Sequence, residues 1–157
     1  MKSYNKKISC LLGLVGFALA LALDQVTKYL AVMDLRENGP VILIKNVFQL
    51  QYLENRGAAF GIMQNRQFFF VVIAAVILDS RMPYTSHYRM LRICAVLIAS
   101  GAVGNMIDRI RLNYVVDFFY FSLIDFPVFN VADCYVVIAC IWFACLILFY
   151  YKDESDF

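Results

Sequence analysis

The chain has 157 residues, of which 62% are apolar and only 17% charged, and its net charge is +2. Soluble domains carry roughly 25% charged residues, and a domain of this size exposes too much surface to hide so many apolar side chains. An ordinary soluble fold is therefore excluded, and nucleic-acid binding with it, because no block of Lys or Arg accompanies the small net charge. The length suits a single integral membrane domain, residues 1–157.

A membrane-spanning helix needs about 20 mostly apolar residues. The first expected span is 8–33. Ile8 to Leu23 is uncharged, and the apolar pattern continues past Lys28 to Met33. Lys2, Lys6 and Lys7 with Ala18-Leu19-Ala20 also resemble a cleavable signal peptide. The apolar stretch is long for that, and three more spans follow, so a retained helix is the simpler reading. In the outer segment 34–63, Phe48, Leu50 and Tyr52 alternate with Gln49 and Gln51. Val41-Ile42-Leu43-Ile44 precedes them, with Lys45-Asn46 between. Period-two patterning broken by a turn predicts a small sheet on the membrane surface. The second expected span, 64–82, borrows polar residues at its ends and stops at Pro83. The third is 91–107, and the fourth, 131–151, contains 18 uncharged residues from Cys134 to Tyr151.

Lys2, Lys6 and Lys7, then Arg81, Arg89 and Arg92, then Lys152 fall on one side of a four-span chain. Positive charge marks the cytoplasmic side, so both termini are expected there, with 34–66 and 108–130 facing outward. Arg56, Arg66, Arg109 and Arg111 on the outer side make the bias modest. The expected fold class is an all-α membrane protein, with four transmembrane helices and a small extracytoplasmic β-sheet. The five cysteines (Cys10, Cys94, Cys134, Cys140, Cys145) form no CxxC, and His87 is the only histidine. That spacing suits neither a metal site nor a disulfide framework. No metal and no cofactor are expected.

Polar groups near hydrocarbon are costly, and each needs a reason. Asp24 and Lys28 are i, i+4 on the first span, with Thr27 between them; a helical ion pair of a few tenths of a kcal/mol accounts for the pair alone. Asn105 and Asp108 share a face at the outer end of the third span, beside the small residues Ser100, Gly101, Ala102 and Gly104. A packing seam and a seam presenting polar groups to a cavity are both compatible with that spacing. Asp117 sits in YVVDFFYF and Asp133 in FNVAD, sixteen positions apart. Two carboxylates brought together in a dry site cannot both ionise cheaply, so one holds a proton while the other acts as base. Two unrelated interfacial aspartates fit the spacing equally well.

Five motifs now stand in order: Asp24-Gln25-Val26-Thr27-Lys28; Asn55-Arg56-Gly57-Ala58-Ala59-Phe60-Gly61; Gly101 to Arg109; Val115-Val116-Asp117-Phe118; and Phe129-Asn130-Val131-Ala132-Asp133. Together they resemble lipoprotein signal peptidase, the type II signal peptidase of bacteria. Ser100 stands where that family usually has glycine, and Cys134 where serine is common. The resemblance implies an intramembrane aspartic endopeptidase of the inner membrane with its active site near the outer face, and a catalytic pair at Asp117 and Asp133. It implies that Asn55, Gly57, Asn105, Asp108, Arg109 and Asn130 support the dyad or the substrate, with Asp24 and Lys28 in the first-helix motif. The implied substrate is a diacylglyceryl-prolipoprotein, cut before its lipidated cysteine by a monomer in contact with membrane lipid. The alternative is a small transporter or proton-conducting protein, with Asp24, Asp108, Asp117 and Asp133 lining a path.

Overall fold

The computed structural model describes residues 6–57 and 88–150. The first helix, α1, runs Lys6–Asn38. Its 33 residues span about 50 Å at 1.5 Å per residue, well beyond the ~30 Å of a bilayer's hydrocarbon. Gly39 stops it in the left-handed conformation (φ +82°), which glycine adopts without steric cost, and Pro40 cannot extend the helix. The burial of α1 is inverted relative to a soluble helix. Asp24, Lys28, Ala31 and Leu35 face inward, while Leu11, Leu14, Leu19 and Val26 are exposed. Apolar side chains outside and charges inside suit a helix whose solvent is lipid.

A short sheet follows. Strand β1 (Val41–Ile44) turns at Asn46, which takes φ +59°, into β2 (Phe48–Asn55). This is the hairpin that the alternation predicted. Beyond the sequence reading lies β3 (Val115–Tyr120), which pairs antiparallel with β2 and gives the order β1-β2-β3. Leu53 stands opposite Asp117 and Asn55 opposite Val115, and the register shifts between Leu50 and Leu53. Such irregularities bend a strand and re-aim its side chains.

Helix α2 (Arg89–Leu112) ends at Asn113 in the left-handed region, whose N–H bonds the Arg109 carbonyl. The chain thus leaves α2 straight into β3. Helix α3 (Val131–Cys145) continues into a π-helical turn, Leu146–Tyr150. Leu91, Cys94, Ala95, Ile98, Ala102 and Asn105 form the buried stripe of α2. At its outer end glycines set the spacing: a Cβ on Gly101 would overlap the Ala132 carbonyl, and one on Gly104 the Asp24 carboxylate. A second cluster joins Ala31 and Leu35 of α1 to Val116 and Phe118 of β3.

Three helices among the described residues are long and apolar enough to cross a membrane. The expected second span, 64–82, with Pro83 beyond it, lies outside the described residues, as do Ala58 to Gly61. Cys94, Cys134, Cys140 and Cys145 are free thiols.

Candidate active site

Two polar clusters meet where the outer ends of the helices join the sheet. The first is built on Lys28, which is 3% exposed. Its ammonium lies 2.9 Å from Asp24 Oδ2 and 3.0 Å from Asp108 Oδ2, and donates to Asn105 Oδ1 at 2.7 Å. The Asp24–Lys28 pair is therefore not the weak surface pair its spacing alone suggests. It is buried, and it ties α1 to α2. Asp24 Oδ1 also accepts the Ala132 backbone N–H at 3.0 Å, one of the unpaired donors of α3's first turn. Asp108 Oδ2 accepts the Val116 N–H at 3.2 Å. Helices α1 and α2 thereby fix the elements that carry the next cluster. Thr27 stays within its own helix, its hydroxyl donating to the Leu23 and Asp24 carbonyls.

The second cluster holds Asp117 and Asp133. Asp117, in the middle of β3, is buried at 1% exposure. Its Oδ1 accepts from Asn130 Nδ2 at 2.6 Å and its Oδ2 from Asn55 Nδ2 at 2.8 Å. Asp133 is the third residue of α3. There it closes a capping box: the Asp133 N–H donates to Asn130 Oδ1 at 3.0 Å, and the Asn130 N–H to Asp133 Oδ2 at 3.2 Å. Asn105 Nδ2 adds a bond to Asp133 Oδ1 at 2.8 Å. Asn130 is fully buried and touches both carboxylates, and its Nδ2 also reaches Asn105 Oδ1 and the Val116 carbonyl. Burial pushes Asp117 up to about 7, and the charge of Asp133 adds to that, against the donors on Asn55 and Asn130.

A cleft of about 1120 Å³ opens over this pair, lined in part by Asn55, Gly57, Asn105, Arg109, Asp117 and Asp133. That exceeds most small-molecule sites and has room for an extended peptide. Gly57 takes φ +84° and donates its N–H to Asn55 Oδ1 at 3.0 Å. Arg109 bonds the backbone carbonyl of Asn105, one turn earlier, at 3.4 Å. It therefore stands on the cleft wall, and none of its hydrogen bonds goes to the two carboxylates. The structure thus brings Asn55, Asn105, Asn130, Asp117 and Asp133 into one network and joins Asp24, Lys28 and Asp108 to it through Asn105.

The sequence reading missed Gln25. Its side-chain amide bridges Asp24 Oδ2, Asp108 Oδ1 and the Gly104 carbonyl at 3.1–3.3 Å. Its position beside Asp24, a polar residue in an apolar span, was the available signal.

The sequence model of the family described as "Signal peptidase (SPase) II" matches residues 16–149. A lipoprotein signal peptidase of Clostridioides difficile (strain 630) is 39% identical over 140 residues, covering 87% of this chain and 94% of the relative. Another, from Caldanaerobacter subterraneus subsp. tengcongensis, is 44% identical over 145 residues, covering 88% and 97%. Two solved structures, each described as a bacterial membrane enzyme determined by the in meso method, match with a TM-score of 0.70. They are 27% and 29% identical, covering 99% and 98% of this chain and 95% and 98% of theirs. With three membrane-capable helices, these likenesses make the protein a bacterial inner-membrane protein. A match over most of the chain, set on a buried Asp117 beside a half-buried Asp133, leaves one assignment: the chain belongs to the signal peptidase II family and is a protease of that type.

Proposed function

We propose that the protein cleaves diacylglyceryl-prolipoproteins before the lipidated cysteine, using Asp117 and Asp133 to activate a water molecule. The observation that carries this reading is Asn130: its side-chain amide reaches Asp117 at 2.6 Å while its backbone N–H reaches Asp133 at 3.2 Å. One rigid, buried residue thereby sets both acids in a common frame.

Asp117, pushed up to about 7, holds the proton of the pair near neutral pH and acts as the acid. Asp133 acts as the base. Water between them loses a proton to Asp133 and attacks the scissile carbonyl, while Asp117 protonates the carbonyl oxygen. The resulting tetrahedral diol breaks down as Asp133 returns its proton to the departing amine. Asp117 recovers a proton from a diol hydroxyl, and the pair is restored. Asn55, Asn105 and Asn130 hold the two acids in register. Gly57 shapes the edge where the extended peptide lies, and Arg109 on the cleft wall meets the substrate.

In this reading both termini are cytoplasmic, four spans cross the membrane, and the cleft opens near the outer face. The lipidated substrate enters a monomer sideways from the bilayer, so its acyl chains never leave lipid. Asp24 and Asp108 are occupied by Lys28, which argues against a string of open proton-relay stations.

The test is cleavage by the purified protein in detergent. A diacylated prolipoprotein is expected to shift in size, with or without chelators and serine-directed reagents, and Asp117→Asn or Asp133→Asn is expected to abolish the shift. Chelator-sensitive cleavage, or cleavage that survives either substitution, overturns the proposal.

A further inference from the structure

We propose that Lys28 is a positioning residue for the dyad: it dictates which end of the Asn105 amide faces Asp133, and so keeps an N–H on that carboxylate. The inference rests on the Asp117–Asp133 reading above and assigns its control to the first helix.

The two ends of an asparagine side chain are nearly the same shape, one an acceptor oxygen and the other a donor NH₂. Only its neighbours decide its orientation. An ammonium has three donors and no acceptor, and Lys28 directs hydrogen-bond-length contacts at three acceptors: Asp24 Oδ2, Asp108 Oδ2 and Asn105 Oδ1. The oxygen of Asn105 must therefore face Lys28, and its Nδ2 is turned onto Asp133 Oδ1 at 2.8 Å.

The same logic holds at the other two amides. The Asp133 N–H donates to Asn130 Oδ1, turning Asn130 Nδ2 onto Asp117; the Gly57 N–H donates to Asn55 Oδ1, turning Asn55 Nδ2 onto Asp117. Those two locks are backbone N–H groups, which almost any residue supplies. The lock on Asn105 is made by side chains: the Lys28 ammonium at 2.7 Å, the shorter and charged contact, and Asn130 Nδ2 at 3.1 Å on the same oxygen; Lys28 stands on a different helix from either acid. An Asn105 turned the other way would present its carbonyl to Asp133, a contact that only a protonated carboxyl satisfies. Lys28 thereby biases the proton count of the pair without touching either acid. Among the described residues, the charged and titratable groups around the pair are Asp24 and Lys28 from α1, Asp108 and Arg109 from α2, Cys134 beside Asp133 on α3, and Glu54, Arg56, Tyr120 and Asp125 lining the cleft. The charge of Lys28 also reaches Asp117.

The test measures kcat and KM on a diacylated prolipoprotein peptide from pH 5 to 9 for Lys28→Met, Asn105→Ala and the double variant, with thermal unfolding followed in the same detergent. Each single variant is expected to lower kcat about 100-fold at its own optimum, the scale of losing one aimed donor. KM stays within about twofold, and the optimum moves to higher pH because a donor to the charged form is gone. The double variant is expected to match Asn105→Ala, since Lys28 acts through that amide. An unmoved optimum in Lys28→Met, or losses that multiply in the double variant, overturns the proposal.

Lys28→Met strips two buried carboxylates of their cation. Should it fail to fold, Asn105→Asp decides: it keeps an acceptor for Lys28 and removes the N–H toward Asp133. Activity is then expected to collapse at pH 8 and return in part at pH 5, where a proton supplies the missing donor. Full activity at pH 8 overturns the lock. Cleavage that survives Asp117→Asn or Asp133→Asn overturns the dyad itself. Loss of cleavage in both of those variants, beside an unmoved Lys28→Met optimum, overturns the lock alone.

Discussion

Two pairs of acidic side chains lie in neighbouring clusters and are treated in opposite ways. Asp24 and Asp108 share the ammonium of Lys28 at 2.9 and 3.0 Å. Asp117 and Asp133 are instead held by amides and a backbone N–H, from Asn55, Asn105 and Asn130. A buried cation binds its carboxylates tightly in place, because leaving either partner unpaired in a low dielectric is costly. Neutral amides hold a carboxylate in place without a counter-charge. The first pair is suited to joining helices. The second is suited to exchanging a proton.

The sharpest way to break this contrast is to neutralise each pair in turn. Asp117→Asn or Asp133→Asn is expected to lower kcat by roughly 10⁴-fold or more, the scale seen when one member of a catalytic unit is removed, with no loss of thermal stability. Asp24→Ala should do the reverse. It removes one of the two carboxylates on Lys28 and the acceptor of the Ala132 N–H and is expected to cost about 3–5 kcal/mol of stability, read by denaturant unfolding in detergent. Equal loss of stability in both sets would erase the distinction.

The pH dependence sharpens it further. Asp117 keeps its proton up to about 7 in the folded chain, against 3.8 for an ordinary carboxyl. Between those values the folded state binds more protons, so its stability falls as pH rises through the window. Asp117→Asn removes that penalty. At pH 8 it is expected to be more stable than the wild type by up to about 4 kcal/mol, at about 1.4 kcal/mol per pKa unit, and no more stable at pH 3. A wild-type chain whose stability rises from pH 4 to 7 relative to this variant would contradict the assignment. Smaller still is Gly104→Ala, whose added methyl meets the Asp24 carboxylate. A cost of about 1–3 kcal/mol is expected from overpacking, with the pH optimum of cleavage unchanged.

Much of this was legible in the residues. The hairpin followed from alternation at Phe48, Leu50 and Tyr52, because side chains alternate faces along a strand whatever surrounds it. The small-residue seam at Gly101 and Gly104 followed from what helices need in order to approach closely. Asp24 and Lys28 were visible as polar groups in an apolar span, but their weight was not. Spacing i, i+4 describes a surface pair and a buried one alike, and only the approach of Asp108 from α2 makes it a three-way link. Strand β3 was hidden because Tyr114 to Phe121 reads as an aromatic membrane-interface stretch until β2 pairs with it. Gln25 was hidden because its three partners lie on its own helix and on α2.

By itself the sequence determined the solvent, the apolar helical segments and the hairpin, since these depend on composition and short-range periodicity, while the two acids were singled out only by the resemblance of their motifs to a family. Only the tertiary structure decided that Asp117 and Asp133 share Asn130, and that the first helix reaches them through Lys28 and Asn105. Those contacts join residues 13 to 77 positions apart, and no local spacing encodes the hydrogen-bond direction that long-range packing imposes.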